Sequence, residues 1–69
     1  MNKRQLIIFI QALEIERFHR LCQLRRYEEA AMCISEYDDL ADEDVDILES
    51  YRDTLLEKVN ELRSEMNEV

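Results

Sequence analysis

The chain of 69 residues contains no glycine, no proline and no tryptophan, and only two cysteines. Glycine and proline are the strongest local breakers of regular structure, so their absence favours long, uninterrupted elements. Two cysteines are too few for the disulfide framework that supports many small secreted domains. No catalytic motif is present, so we do not expect the protein to be an enzyme.

Aromatic residues are also scarce, at 7% of the chain, whereas glutamate, leucine, arginine and alanine are plentiful. These four residue types are good helix formers, which predicts an all-α protein. A chain this short makes one helical domain over residues 1–69, and its core alone supplies no more than about 3–5 kcal/mol of stability. Self-association is the expected supplement.

The net charge of −8 is divided unevenly along the chain. Residues 1–26 carry six basic and two acidic side chains, a balance of +4, and residues 27–69 carry three basic and fifteen acidic ones, a balance of −12. The acidic surplus repels DNA and anionic membranes, so neither is an expected partner. A protein with a basic surface is the natural complement.

Five consecutive apolar residues stand at positions 6–10, after two basic ones, as at the start of a signal peptide. Polar residues interrupt the run from Gln11 onward, and no small-residue cleavage site follows. A bilayer crossing needs about twice the ten residues from Leu6 to Ile15. We therefore expect a cytoplasmic protein whose apolar run is buried against protein.

The apolar spacing predicts one long helix over residues 3–38, with a kink or short loop near 25–27 as the alternative. An aspartate-rich turn follows at 39–42, and a second helix spans 43–67. Aspartate is a good capping residue, and Asp39 or Asp42 is the predicted N-cap of the second helix. Its apolar heptad consists of Val45, Leu48, Leu55, Val59, Leu62, Met66 and Val69.

The first helix carries two apolar stripes. The first begins with Leu6, Ile10 and Leu13, and beside it lie Ile8, Ala12, Ile15, Phe18 and Cys22. A helix that is apolar on every side must be buried on every side, and one neighbouring helix cannot do this.

The predicted architecture is an antiparallel helical hairpin that associates as a dimer, including a four-helix bundle at its centre. At 1.5 Å per residue the helices would be about 54 and about 37 Å long, so the second would leave the beginning of the first uncovered. The predicted dimer interface at that uncovered end consists of Leu6, Phe9, Ile10 and Leu13.

Nine carboxylates lie within the eighteen residues from Glu36 to Asp53. They form either a solvated cap or a docking surface for an arginine- or lysine-rich protein. Calcium binding is disfavoured, because no EF-hand spacing is present. The residues predicted to contact the partner are Tyr37, Asp39, Asp42, Asp46 and Tyr51.

His19 and Cys22 are three residues apart, and Cys33 lies further along the chain. A metal site needs three or four converging ligands, and a Cys–His nucleophile needs further catalytic groups that the sequence does not provide. We expect neither a metal nor a cofactor, and no catalytic residue is assigned.

Two segments resemble known helical families. "LCQLRRYEEAAMCISEYDDL" resembles one helical half-repeat of the tetratricopeptide type through Tyr27, Ala30 and Ala31, although no second copy is present. Cys22-Gln23 followed by "YDDLADEDVDILESYRD" resembles the middle of the Hha/YmoA family of small helical regulators that bind nucleoid-associated proteins. Neither resemblance is taken as an identification, and both imply a non-enzymatic, partner-binding role.

Two functional hypotheses follow. In the first, the chain is an acidic regulator or inhibitor that occludes a surface of a larger protein, including the basic nucleic-acid-binding face of a transcriptional regulator, as phage- or plasmid-type anti-activators do. In the alternative, it is a helical chaperone or structural assembly subunit that covers an apolar helix of its partner.

Overall fold

The computed structural model describes residues 2–33 and 39–67, and every regular element in these two ranges is helical. Helix α1 spans Lys3–Gln23, α2 spans Tyr27–Ala31 and α3 spans Val45–Asn67, with a 3₁₀ turn at Leu40–Asp42 before α3. The all-α prediction is confirmed. No helix within the described ranges is long and apolar enough to cross a membrane.

Helix α1 begins with a capping box. The Asn2 side chain accepts a hydrogen bond from the Gln5 backbone N–H (2.8 Å), and the Gln5 side chain accepts one from the Asn2 backbone N–H (3.2 Å). These two bonds satisfy backbone donors that a helix N-terminus leaves without an intrahelical partner. The predicted start at residue 3 is confirmed.

Helix α1 ends in a Schellman motif. The N–H of Arg26 donates to the carbonyl oxygen of Leu21 (2.9 Å) and the N–H of Arg25 to that of Cys22 (3.0 Å). Arg25 has a φ of 62°, in the left-handed region that favours glycine. The prediction of one continuous helix over 3–38 is therefore wrong, and the alternative of a break near 25–27 is confirmed. Residues 34–38 lie outside the described ranges.

The two long helices run parallel. Near their beginnings, Lys3 Nζ donates to the carbonyl oxygen of Ala41 (2.6 Å), and towards their ends Arg63 Nε donates to Glu16 Oε2 (2.8 Å). Residue numbers therefore increase in the same direction along α1 and α3. The predicted antiparallel hairpin of the two long helices is wrong, because α1 ends early at Gln23 and α3 starts beside the beginning of α1, where Lys3 contacts Ala41. It is α2 that folds back along α1, bringing Ala30 against Leu21.

Helices α1 and α3 contain 21 and 23 residues, so α3 extends along nearly all of α1. The main core is consequently built at the beginning of α1, where Leu6 and Ile10 are 2% and 0% exposed. Their cluster also contains Leu13, Leu40, Leu48, Leu55 and Val59, and Phe9 packs half-buried against it. The expectation that the beginning of α1 is left uncovered by its own chain is wrong. It depended on a first helix much longer than the second, whereas α1 is two residues shorter than α3.

A smaller cluster of Leu21, Ala30 and Leu62 joins the end of α1 to α2 and α3. The small side chain of Ala30 lets α2 approach α1 closely. Each large apolar side chain buried in the two clusters contributes roughly 1.5–3 kcal/mol. Four positions of the predicted α3 heptad, Leu48, Leu55, Val59 and Leu62, are buried, as expected from their spacing.

Candidate protein-interaction surfaces

One end of the molecule is acidic, and the 3₁₀ turn positions it. Leu40 is buried in the main core and fixes the turn beside the beginnings of α1 and α3. Asp39 caps the turn, with its carboxylate accepting from the Ala41 N–H (3.0 Å). We call the carboxylates of this region the acidic end; they are Asp39, Asp42, Glu43, Asp44, Asp46 and Glu49. All are exposed except Glu43, which is half-buried.

The first turn of α3 carries part of this charge. The carbonyl oxygen of Asp44 accepts the N–H of Leu48 (3.0 Å), so Asp44, rather than Asp39 or Asp42, immediately precedes the helix. The prediction that Asp39 or Asp42 caps α3 is therefore wrong. Carboxylates at a helix N-terminus interact favourably with the helix dipole. Asp44 and Asp46 thus help to start α3 while remaining open to solvent.

The predicted partner-contacting residues fall into three groups. Asp39, Asp42 and Asp46 lie at the acidic end and are exposed. Tyr51 is half-buried against the main core, and its hydroxyl donates to Glu14 Oε1 of α1 (3.1 Å), which gives it a structural role. Tyr37 lies outside the described residues. The assignment of these side chains to partner binding stays a prediction.

At the opposite end of the helices, acids are paired with arginines. Arg20, Arg25, Arg26 and Arg63 form what we call the arginine end. Glu16 accepts from Arg20 Nε (2.8 Å) and from Arg63 Nε (2.8 Å), which links α1 to α3. Arg26 Nη1 reaches Glu65 of α3 (2.6 Å). Hydrogen bonding from Arg63 is the main cause that lowers the pKa of the Glu16 carboxyl.

This pairing separates the two ends electrostatically. No ion pair between residues within 2–33 and 39–67 involves a carboxylate of the acidic end. Lys3, at the beginning of α1, donates to the backbone carbonyl oxygen of Ala41 instead. The negative charge of the acidic end is therefore available to a partner.

The second apolar stripe of α1 forms a second surface. We call Ile8, Ala12, Ile15 and Phe18 the outer α1 face. Ile8 is 57%, Ile15 68% and Phe18 48% exposed, and Ala12 is exposed as well. At 3.6 residues per turn, this face lies roughly 160° around the helix from the buried stripe. The sequence identified these residues, but placed them beside the buried stripe rather than nearly opposite it.

The predicted dimer interface does not coincide with this surface. Leu6, Ile10 and Leu13 lie in the core of the single chain, and Phe9 is half-buried against them. A second copy could reach these three only by displacing α3. Self-association through them stays a prediction, and the exposed apolar area of α1 lies elsewhere.

The histidine and cysteine side chains show no convergence. His19 is exposed, and Cys22 and Cys33 are half-buried free thiols. Burial is the main cause that raises the pKa of the Cys33 thiol, which keeps it protonated and a weak nucleophile. Within the described part of the chain, no three His, Cys, Asp or Glu side chains are grouped so that they could hold a metal ion.

Comparisons with known proteins give no family for this chain: no family model matches it, and no curated protein or solved structure is significantly similar. The resemblances to tetratricopeptide repeats and to the Hha/YmoA family are not supported by a family match. The function must therefore be argued from the two surfaces.

Proposed function

We propose that this protein is a small, non-enzymatic regulator or inhibitor that uses its acidic end to occlude a basic surface of a larger cytoplasmic protein. The nucleic-acid-binding face of a transcriptional regulator is the most suitable target, because such a face is rich in arginine and lysine. The contrast between the two ends carries the proposal. At the arginine end Glu16, Glu29 and Glu65 are used in ion pairs, whereas no carboxylate of the acidic end is paired with a described residue.

The mechanism is electrostatic and steric. Exposed carboxylates of one sign accelerate encounter with a basic surface and disfavour partners of the wrong charge. Asp42 in the 3₁₀ turn and Asp46 in the first turn of α3 lie four residues apart on this surface. A bound target cannot bind nucleic acid through the same positive face.

The test is capture of proteins by the immobilised chain from a lysate of its own cells. We expect one basic protein to be retained in about 50 mM salt and to be largely released in about 200 mM salt, because salt screens exposed charges over a Debye length. The double variant Asp42→Lys/Asp46→Lys should lose it. The captured protein should also lose binding to nucleic acid when the chain is added.

The matched control is Glu57→Lys/Glu61→Lys, which makes the same change in net charge on exposed positions of α3, away from the acidic end. Circular dichroism should confirm that both variants stay helical. Equal loss of the captured protein from both variants would show that overall charge, not the acidic end, holds it. Unchanged capture by the Asp42/Asp46 variant would overturn the proposal.

The outer α1 face favours a second candidate function. A helical chaperone or assembly subunit would use this apolar face to cover an apolar helix of its partner. Apolar contact responds little to salt, so a partner retained equally in low and high salt would favour this function. We further propose that the chain self-associates, as a dimer that can form a four-helix bundle, since a chain of this size gains stability from such contact.

A further inference from the structure

We propose that the outer α1 face binds a second copy of this chain in an antiparallel, two-fold arrangement. This inference deepens the proposed self-association by naming its surface and its geometry. It rests on that proposed self-association, and the outer α1 face shares no residue with the acidic end.

Exposure is the first step of the argument. Ile8 and Ile15 are seven residues apart, which is nearly two helical turns, and both are more than half exposed. Phe18 and Ala12 continue the same face. A contiguous apolar face on a small protein is typical of a protein–protein contact. None of its four residues is charged, and the charged side chains Glu14, Glu16 and Arg20 line the grooves at its margins.

Shape is the second step, because a two-fold interface must be complementary to itself. The ridge formed by Ile15 has a shallow groove on each side. One groove lies between α1 and α2 and is lined by Phe18, Ala30 and Ala31, together with Ile15 itself. The other lies between α1 and the end of α3, beside His19, Gln23 and Met66. A ridge of one copy can therefore enter a groove of the other while offering its own groove in return.

Charge favours one direction of the pairing. The acidic end lies at the beginning of α1 and the arginine end at its other end. A parallel pair would bring the two acidic ends together. An antiparallel pair separates them and places each acidic end at the level of the arginine end of the second copy, where Arg25 is exposed and has no ion pair with any described residue.

Side-chain size is compatible with one register of this pair. When Ile15 lies opposite Ile15 of the second copy, Ala12 lies opposite Phe18 and Ile8 opposite Cys22. The small Ala12 side chain then leaves room for the phenyl ring of Phe18, as a knob enters a hole. The interface is centred on Ile15, which is the most exposed isoleucine of α1.

The experiment measures the mass of the full chain by sedimentation between about 1 and about 100 μM. We expect a dimer with twice the mass of the 8.4 kDa chain. Ile15→Glu should raise its dissociation constant roughly 100-fold, because each copy would bury a carboxylate among apolar side chains. Ile47→Glu is the matched control, since Ile47 is an exposed isoleucine of α3 outside the face and should leave the dimer intact.

Cross-linking tests the direction. In a chain with Ile8→Cys and Cys33→Ser, oxidation of the antiparallel dimer should join the thiol at position 8 to Cys22 of the second copy. Links between two thiols at position 8 would show a parallel pair and overturn the geometry.

Three outcomes of the mass measurement would overturn the proposal: a folded monomer at 100 μM, a dimer that persists in Ile15→Glu, or a dimer lost equally in both variants. Circular dichroism of each variant excludes unfolding as the cause. A monomeric chain that loses a captured protein on Ile15→Glu would assign the face to another protein, which also overturns binding of a second copy. Capture that depends only on Asp42 and Asp46 would leave the proposed regulator intact.

Discussion

Helices α1 and α3 are nearly equal in length and run side by side, but they distribute their apolar residues differently. In α3 the buried residues Leu48, Leu55, Val59 and Leu62 follow one stripe, and most of the remaining surface is polar. In α1 one stripe is buried by α3 and the nearly opposite stripe, the outer α1 face, is left exposed. The fold buries one apolar side of α1 and leaves the other exposed to solvent. An exposed apolar face of this kind is typical of a protein–protein contact.

The largest expected effect is the loss of stability caused by a cavity in the buried stripe of α1. Ile10→Ala should lower the free energy of unfolding by about 2–5 kcal/mol, because Ile10 is fully buried. Ile15→Ala should change it by less than about 0.5 kcal/mol at low micromolar concentration, because Ile15 is exposed in the single chain and alanine is the better helix former. Urea denaturation measures both.

The two faces would be equivalent if both variants lost the same stability at low concentration, and the comparison would then fail. A loss for Ile15→Ala that appears only at higher protein concentration would instead identify the outer α1 face as the surface of association.

A smaller change in stability is expected at the end of α1. Its sign distinguishes a helix that ends before Arg25 from one that continues through it. Arg25→Gly should raise the free energy of unfolding by about 1 kcal/mol, because glycine adopts the left-handed conformation of Arg25 without steric cost. A continuous helix through this position would instead lose about 1 kcal/mol on the same change. Gln23→Gly is the control, since Gln23 is helical and exposed and its replacement should destabilise.

The smallest expected effect concerns the ion pairs that join α1 to α3. Because the pKa of Glu16 is lowered in the folded chain, its contribution is complete above the ordinary value of 4.5 and is lost as pH falls through the lowered pKa. Glu16→Gln should therefore destabilise the protein at pH 7, by less than about 1 kcal/mol, and match the unaltered chain at low pH. Thermal unfolding from pH 7 to pH 2 measures the difference.

A difference between the two chains that stays constant over this pH range would contradict a role for the Glu16 charge. Glu57→Gln, an exposed position of the same charge type in α3 that forms no ion pair with a described residue, is the control.

Some features of the fold have a clear sequence pattern and could be predicted, and others have none. The helical class follows from composition, and the core of α3 follows from a single heptad. The break after Gln23 was only an alternative, because arginine gives no sign of the left-handed conformation that Arg25 adopts. The break at that residue shortens α1 and turns α2 back along it, and the chain has returned to the beginning of α1 by Ala41, before α3 starts.

Of the two candidate surfaces, the acidic end could be predicted from the sequence, whereas the exposure of the outer α1 face could not. The acidic end follows from local composition, since neighbouring aspartates remain neighbours in any fold. The cover of Leu6 and Ile10 by Leu48, Leu55 and Val59 could not be derived, because it depends on the direction of α3 relative to α1. The outer α1 face was present in the sequence as the second apolar stripe, and only the structure shows which stripe remains exposed.

The parallel course of α1 and α3 also affects how the chain is made. Hydrogen bonds between the two helices join residues 37 to 47 positions apart, far more than in a tight helical hairpin. Such high contact order slows folding. On the ribosome, at about 5–20 residues per second, newly synthesised α1 would wait several seconds for the core residues of α3. During that interval both apolar faces of the newly synthesised helix are exposed to solvent. A chaperone or a second copy of the chain can therefore contact α1 most easily before α3 has been made.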